Sequence, residues 1–281
     1  MIEVVRRPPP RHPLTQNGEC AYLVALREGR PVFSTLTGVD RRFVHLTGVR
    51  QGWFSLFTGQ DDPEAARAVI REAAGFQRGL GMERLSGPNA PDGRFQPGIL
   101  AKGEGATPHL DRLLVENGFQ VLRESVAFCV PPGALPGMRR AAERAREAHG
   151  VSVRREGVTK ASCRAVYDLY EPRQVPFEEF ASILSGMRPL ELYIASVRNE
   201  DAGFLLVRRE GEASRVETTM IAPRYQRGPA LLCLLNALTS RVEPKVLTGA
   251  IDRSNAPSLA VVRALGGQIC ELWREYILYL I

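Results

Sequence analysis

The stretch Met220-Ile221-Ala222-Pro223-Arg224-Tyr225-Gln226-Arg227-Gly228-Pro229-Ala230 runs from a β-prone segment into an apolar one, and its reading decides the fold. Upstream, Ser214 to Ala222 (SRVETTMIA) alternates and is rich in β-branched residues, so it predicts a strand. Downstream, Gly228 opens a helix that continues through Leu231-Leu232-Cys233-Leu234-Leu235 to about Thr239. That helix is apolar nearly all round and is therefore expected to be buried. The turn between them presents the free N–H groups of a helix N-terminus, with Arg224 and Arg227 beside them. Glycine at 228 lets a ligand approach the backbone, and Pro229 suits a first helical turn because its missing N–H would have no intrahelical partner. The turn is chemically suited to a pyrophosphate, although an ordinary strand-to-helix turn would read the same way.

Working outward, Val246 to Ala250 predicts a short strand and Pro257 to Leu265 a helix, stopped by Gly266-Gly267 before a strand rich in Ile, Leu, Tyr and Trp. The same design ends the first half, where LLVENGFQVLRESVAFCV from Leu113 to Val130 reads as a helix end, a Gly turn and a strand. Each half also begins alike. Ala21 to Leu26 precedes the turn Arg27-Glu28-Gly29-Arg30, and Leu192 to Val197 precedes Arg198-Asn199-Glu200-Asp201. A second strand follows each turn, Pro31 to Thr37 and Ala202 to Arg208. In the first half Trp53 to Thr58 is the next strand and Pro63 to Arg78 the helix, with Ala65, Ala66, Val69, Ile70 and Ala73 on one face.

Both halves thus read as a hairpin, a strand, a helix, a strand, a helix and a final strand. The fold class is α/β (α+β): two tandem domains, each a mixed, mostly antiparallel sheet flanked by helices. The expected boundaries are 1–132 and 151–281, with 133–150 as a connector carrying an Arg/Ala/Glu helix from about Met138 to His149. The Pro8-Pro9-Pro10 tract reads as an extended lead-in.

Composition narrows the function classes. The 281 residues are 44% hydrophobic and 24% charged, which suits globular domains and argues against a disordered or fibrous chain. No apolar run reaches membrane-spanning length and the N-terminus lacks a signal-peptide core, so a soluble cytoplasmic protein without a membrane partner is expected. The net charge of +6 comes from dispersed arginines interleaved with acids, with only Lys102, Lys160 and Lys245 as lysines, which disfavours a nucleic-acid partner. The five cysteines are far apart, with no CxxC, and read as reduced and mostly buried thiols. The isolated His12, His45, His109 and His149 offer no metal-ligand spacing, so no metal is expected.

The segment Tyr225-Gln226-Arg227-Gly228-Pro229-Ala230 resembles the acyl-CoA-binding motif R/Q-x-x-G-x-G/A of the GNAT acetyltransferase superfamily. It matches at the glycine and the final small residue, with Tyr225 and Pro229 as departures. Asn255-Ala256-Pro257-Ser258 and Ala264-Leu265-Gly266-Gly267 extend the resemblance over about residues 151–281. Trp53 to Phe57, Asp61-Asp62-Pro63-Glu64 and Gly81 to Pro88 make the first half similar to the N-terminal half of tandem GNAT proteins. The resemblance implies a bacterial N-acetyltransferase in which acetyl-CoA is bound by Ile221, Ala222, Arg224, Gln226, Arg227, Gly228, Ala230, Asn255 and Ser258. The acceptor would be a small-molecule amine or a peptide, and the protein a monomer or weak homodimer.

Independently of family, Asp61, Asp62 and Glu64 stand in the first half where the second has Arg224, Arg227 and Gly228. Carboxylates there already complement the helix dipole and would repel a phosphate, so the first copy is expected to be degenerate. For amine acetylation, Glu217 on the strand leading into the loop is the candidate general base, unless it is simply paired with Arg215 or another arginine. Position 262, where many GNAT enzymes keep a tyrosine acid, is valine. Tyr276 or Tyr279 could substitute, although strand aromatics more often belong to the core. Asn255 reads equally as a CoA contact or a helix N-cap. Arg173 and Phe177, in a loop-like segment, are the candidate substrate contacts, against the alternative of ordinary solvated loop residues. A catalytically degenerate scaffold, and less so a transferase acting on charged tRNA, are the rival readings.

Overall fold

In a computed structural model, residues 1–10, 19–89, 98–131, 135–169, 176–186, 190–211, 213–226, 228–241 and 246–280 are described. The chain forms two compact units, Met1–Val126 with Asp252–Ser254 and Cys270–Ile281, and Ala127–Ile251 with Asn255–Ile269.

Unit 1 begins with β1 (Ile2–Arg7), β2 (Glu19–Arg27), β3 (Arg30–Val39), α1 (Arg41–Thr47) and β4 (Gln51–Gly59). It continues with α2 (Pro63–Gly79), β5 (Arg84–Asn89), β6 (Ile99–Lys102), α3 (Pro108–Glu116) and the first part of β7 (Gln120–Val130). The β2–β3 hairpin closes on Glu28 and Gly29, both with positive φ (53° and 76°), the type I′ geometry that matches strand twist. From β1 to β4 the strands pair antiparallel, then β4 and β5 run parallel from Gln51↔Arg84 to Ser55↔Asn89. Helix α2 buries Ala65, Ala66, Val69, Ile70 and Ala73, the face expected from its spacing.

Unit 2 contains α4 (Leu135–His149), β8 (Val151–Glu156), α5 (Lys160–Leu169), α6 (Phe177–Gly186), β9 (Leu190–Val197) and β10 (Glu200–Glu210). It goes on to β11 (Ala213–Ile221), α7 (Ala230–Arg241), β12 (Val246–Asp252) and α8 (Ala256–Ala264). The β9–β10 hairpin repeats the I′ geometry at Arg198 and Asn199, with φ of 50° and 69°. β8, β9, β10 and β11 pair antiparallel in that order, and β11 pairs parallel with β12. One face packs on α7 and α8 through Leu205, Val207, Leu234 and Leu247, and the other on α5 and α6 through Leu192, Phe204 and Leu206. Helix α4, expected as a connector, belongs to this unit and meets α7 where Ala142 packs with Cys233.

Two features differ from expectation. Each sheet has an additional first strand, β1 or β8, which is short and mixed in polarity and so lacks a clear alternation. The compact units also group the chain differently from a cut at 132 or 150. The final strand β13 (Gln268–Tyr279), the end of the second repeat in sequence, pairs with β5 of unit 1 from Tyr276↔Gly87 to Tyr279↔Arg84. Tyr276 and Leu280 enter the unit 1 core. Unit 2 takes in exchange the Ala127–Val130 end of β7, with Phe128 and Val130 in its own core.

Candidate functional site

In unit 2 the register between β11 and β12 runs from Ala213↔Val246 to Val216↔Gly249 and goes no further among the described residues. From Glu217 onward the edge of β11 that faced β12 is therefore released. A bulge accompanies the release: Leu206 of β10 faces Thr218, Val207 faces Val216, and Glu217 is the extra residue. Its side chain is 2% exposed, and Oε1 accepts from Arg208 Nε at 2.8 Å. Oε2 is buried without a hydrogen-bond partner among the described residues. The arginine partner expected for Glu217 thus exists, on the neighbouring strand, and it leaves one oxygen free to accept.

Beyond Ile221 the chain makes one 3₁₀ turn, Pro223–Tyr225, and Gly228 N–H closes on Tyr225 O at 2.9 Å before α7 begins. Gly228 is exposed, and a Cβ there would come 3.2 Å from Tyr225 O, so the small residue suits the tight turn as well as an approaching ligand. A cleft of about 570 Å³ lies beside this junction, and Thr219, Ile221, Gln226, Leu231, Asn255 and Ser258 are among its walls. It thereby unites four of the expected cofactor contacts: Ile221, Gln226, Asn255 and Ser258. Gln226 Nε2 donates to Ile221 O at 3.4 Å. Asn255 is the N-cap of α8, its Oδ1 accepting from Ser258 N–H at 3.1 Å, so the capping role expected for it is filled while its residue still lines the cleft.

Arg224, Gly228 and Ala230 line a second hollow of about 580 Å³, with His149, Arg198 and Glu200. Arg224 stacks on the Tyr225 ring at 4.8 Å and pairs with Glu200 at 3.0 Å. Tyr225 donates to the same carboxylate at 2.8 Å, and that hydrogen bond pushes the phenol's proton affinity up. Ala222 is half-buried and donates to Ala202 O. Arg227 and Arg173 lie outside the described residues.

Two expectations need correction. Tyr276 is fully buried in the unit 1 core, its hydroxyl without a partner among the described residues, because β13 completes the unit 1 sheet; it is not among the residues of the unit 2 cleft. Tyr279 is exposed at the end of the same strand. Phe177 is not a loop residue. It starts α6, with its ring 5.5 Å from Tyr167 and 4.9 Å from the Arg164 guanidinium, against the core under α5 and α6.

The corresponding junction of unit 1 is built differently. β4 carries a bulge where Thr35 of β3 faces Leu56 and Phe57, with Leu56 at φ 48°. The space around it is filled by Phe33, Phe54, Phe57 and Phe119, whose rings meet edge to face at 4.8 to 5.9 Å. Asp62 caps α2 by accepting from Ala65 N–H at 3.1 Å, and Arg27 forks onto Asp62 and Glu64. Burial works to raise the Asp62 proton affinity, but the hydrogen bonds from Ala65 and Arg27 outweigh it and hold the carboxyl below its ordinary range. Asp61 pairs with Arg112. The three carboxylates expected at this entrance are present, each engaged by an arginine.

Arg208 and Glu200, which hold Glu217 and Arg224, do not stand out in the sequence. The hairpin register is the signal that finds Arg208, since pairing β10 with β11 brings it within reach of the bulge. No grouping of His, Cys, Asp and Glu able to hold a metal occurs among the described residues, and no helix among them is long and apolar enough to cross a membrane.

No protein-family model matches the chain, and no curated protein matches it. Solved structures do. A tandem GNAT protein from the clavulanic acid biosynthesis pathway is 16% identical, with 95% of this chain and 84% of that one covered at a TM-score of 0.64. A GCN5-related N-acetyltransferase from Sphaerobacter thermophilus is 14% identical, with coverage of 93% and 81% and a TM-score of 0.63. A probable N-acyltransferase of unknown function from Enterococcus faecalis V583 is 8% identical, with coverage of 100% and 73% and a TM-score of 0.56. At these identities the likeness is one of fold, and the fold is that of the tandem GNAT proteins.

Proposed function

We propose that this tandem GNAT-fold chain is an N-acyltransferase whose unit 2 binds acyl-CoA, with acetyl-CoA as donor, and passes the acyl group to a primary amine of a small molecule or peptide. The observation that carries the reading is the unit 2 cleft, where the released edge of β11 meets Gln226, Asn255 and Ser258. The dimensions and chemistry of the site fit such a donor. Among the described residues of its lining there is no carboxylate, one wall is the stretch of β11 beyond its register with β12, and the first turn of α7 adjoins it.

In the proposed reaction the amine nitrogen forms a bond to the thioester carbonyl carbon, the C–S bond breaks, and the ammonium proton is lost. Glu217 Oε2, the oxygen that Arg208 leaves free, accepts that proton directly or through water. With Tyr276 in the unit 1 core, no side-chain acid is assigned to the thiolate, which leaves as the anion and is protonated by solvent. Unit 1 carries no donor in this reading. The chain acts as a monomer or weak homodimer, without nucleic acid or membrane.

A catalytically inactive binding protein is the second reading, and the pairing of Arg224 with Glu200 favours it, because that cation of the turn is already engaged. Thermal unfolding with acetyl-CoA tests both the donor and its location. Acetyl-CoA is expected to raise Tm, and Gly228→Asp, which puts a carboxylate at the turn before α7, to abolish the rise while the protein stays folded. A wild-type Tm unmoved by acetyl-, propionyl- or longer acyl-CoA would end the donor reading. A Tm rise with no acyl transfer to any of a broad panel of amines would favour the binding protein.

A further inference from the structure

The unit 1 sheet ends on β1, which pairs with β2 from Ile2↔Arg27 to Arg7↔Tyr22 and with no other strand among the described residues. An edge of this kind offers its outer N–H and C=O groups to a further strand. Ile2 and Val4 pack against the unit 1 core and Arg6 lies over the Phe76 ring of α2, so Glu3, Val5 and Arg7 project from the opposite face. Glu3 and Arg7 are exposed, and neither has an ion-pair partner among the described residues.

Residues directly opposite in an antiparallel pair share a face, so a strand pairs with a two-fold copy of itself about one of its own residues. Centring on Glu3, Arg6 or Arg7 sets a charge against its own copy. Centring on Val4 sets Glu3 against Val5 and makes no ion pair. Centring on Val5 sets Glu3 against Arg7 of the second copy, Val5 against Val5, and Arg7 against Glu3. Both end pairs are then complementary, and the central pair extends the row that Val5 already forms with the buried Val24 of β2. Pro8, Pro9 and Pro10 have no N–H to donate and bound the run.

The unit 2 sheet also ends on a six-residue strand, β8, but its charges are already engaged within the unit. Arg154 binds Asp201 and Glu156, and Arg155 binds Glu191. We infer that a second copy of this chain docks on β1, the two strands running antiparallel about Val5. One short strand pair makes a small interface, so the dimer is weak and depends on concentration.

Sedimentation equilibrium of the full chain, without acyl-CoA and from about 10 µM to about 1 mM, tests this independently of the acyl-transfer reading. The wild type is expected to form a dimer within that range. Glu3→Arg and Arg7→Glu each make both end pairs repulsive, and each is expected to raise the dissociation constant by about tenfold or more. An equimolar mixture of the two variants, in which every end pair is complementary again, is expected to recover the dimer, as is the chain carrying both substitutions. Circular dichroism checks that the variants fold; should either unfold, Val5→Lys, which opposes like charges at the axis, replaces it. A wild type that stays monomeric, single variants that dimerise like the wild type, or a mixture that stays monomeric would each overturn the assignment and leave the acyl-transfer reading standing.

Discussion

The two strand-to-helix junctions share one plan, a bulged strand paired in parallel at its start and followed by a helix, but they are filled in opposite ways. In unit 1, β4 gives way to α2 within a few residues, four phenylalanines pack around the bulge, and Asp62 caps the helix under Arg27. In unit 2 the bulge carries Glu217, the chain takes a longer path through Pro223–Tyr225 and Gly228, and a cleft stands where the aromatic fill would be. The first strands differ too. Unit 2 places α5 and α6 between β8 and β9, whereas residues 8–18 join the first two strands of unit 1. In the proposed reading one copy of the fold is kept for stability and the other for ligand binding, and what differs between them is side-chain volume and charge at one junction.

The comparison is most exposed at Glu217. If the unit 2 bulge holds the base, Glu217→Gln should lower turnover by about 100-fold while leaving the acetyl-CoA Tm rise in place. Steady-state rates of the variant at saturating acetyl-CoA check this, and unchanged turnover would remove Glu217 from the proton transfer.

A smaller effect is expected from the opposite junction. Asp62→Ala strips the cap of α2 and should cost about 1 to 2 kcal/mol in urea unfolding at neutral pH, with the acetyl-CoA response of unit 2 preserved. Because the folded carboxyl is held below its ordinary range, its contribution is present above the unfolded value of about 3.9 and is lost as pH falls through the folded value. The gap between wild type and Asp62→Ala should therefore close below about pH 4. A gap independent of pH would show that the charge of Asp62 contributes nothing beyond its packing.

The smallest expected change concerns Glu200, whose carboxylate engages both Arg224 and Tyr225 at the unit 2 turn. Both partners of the ion pair are largely exposed, so the pair is weak and easily exchanged. Glu200→Gln should free Arg224 for a phosphate and tighten acetyl-CoA binding by up to about fivefold, less so at high salt. Weaker binding by this variant would mean that Glu200 positions the turn rather than competing for its cation.

Much of this arrangement is legible in the amino-acid order alone. The hairpins, with their matching turns at Glu28-Gly29 and Arg198-Asn199, the face of α2 and the buried α7 all follow from short-range patterns. So does the contrast of acids before α2 with arginines before α7, because charge at a helix entrance acts through the few residues adjoining it. Asn255 and Ser258 reach the same cleft as Ile221 and Gln226 because each adjoins an element end whose place along the chain is marked by local signals. The misplaced residues are those whose neighbours are distant in sequence. Tyr276 reads as a member of the second repeat and Phe177 as a loop residue, whereas pairing with β5 and packing on Tyr167 assign them elsewhere.

The amino-acid sequence by itself determined the elements common to both repeats, their order, the duplication and the charge at each junction, but not β1, β8 or α6, because propensity, periodicity and capping are local and act within a few residues. Tertiary structure alone decided that β13 closes the first sheet, that Arg208 holds Glu217, that Glu200 engages Arg224 and that Phe128 lies on Gly249. Those outcomes depend on which strand edges pair and which side chains fill a shared volume, and no property of either segment taken singly carries that information.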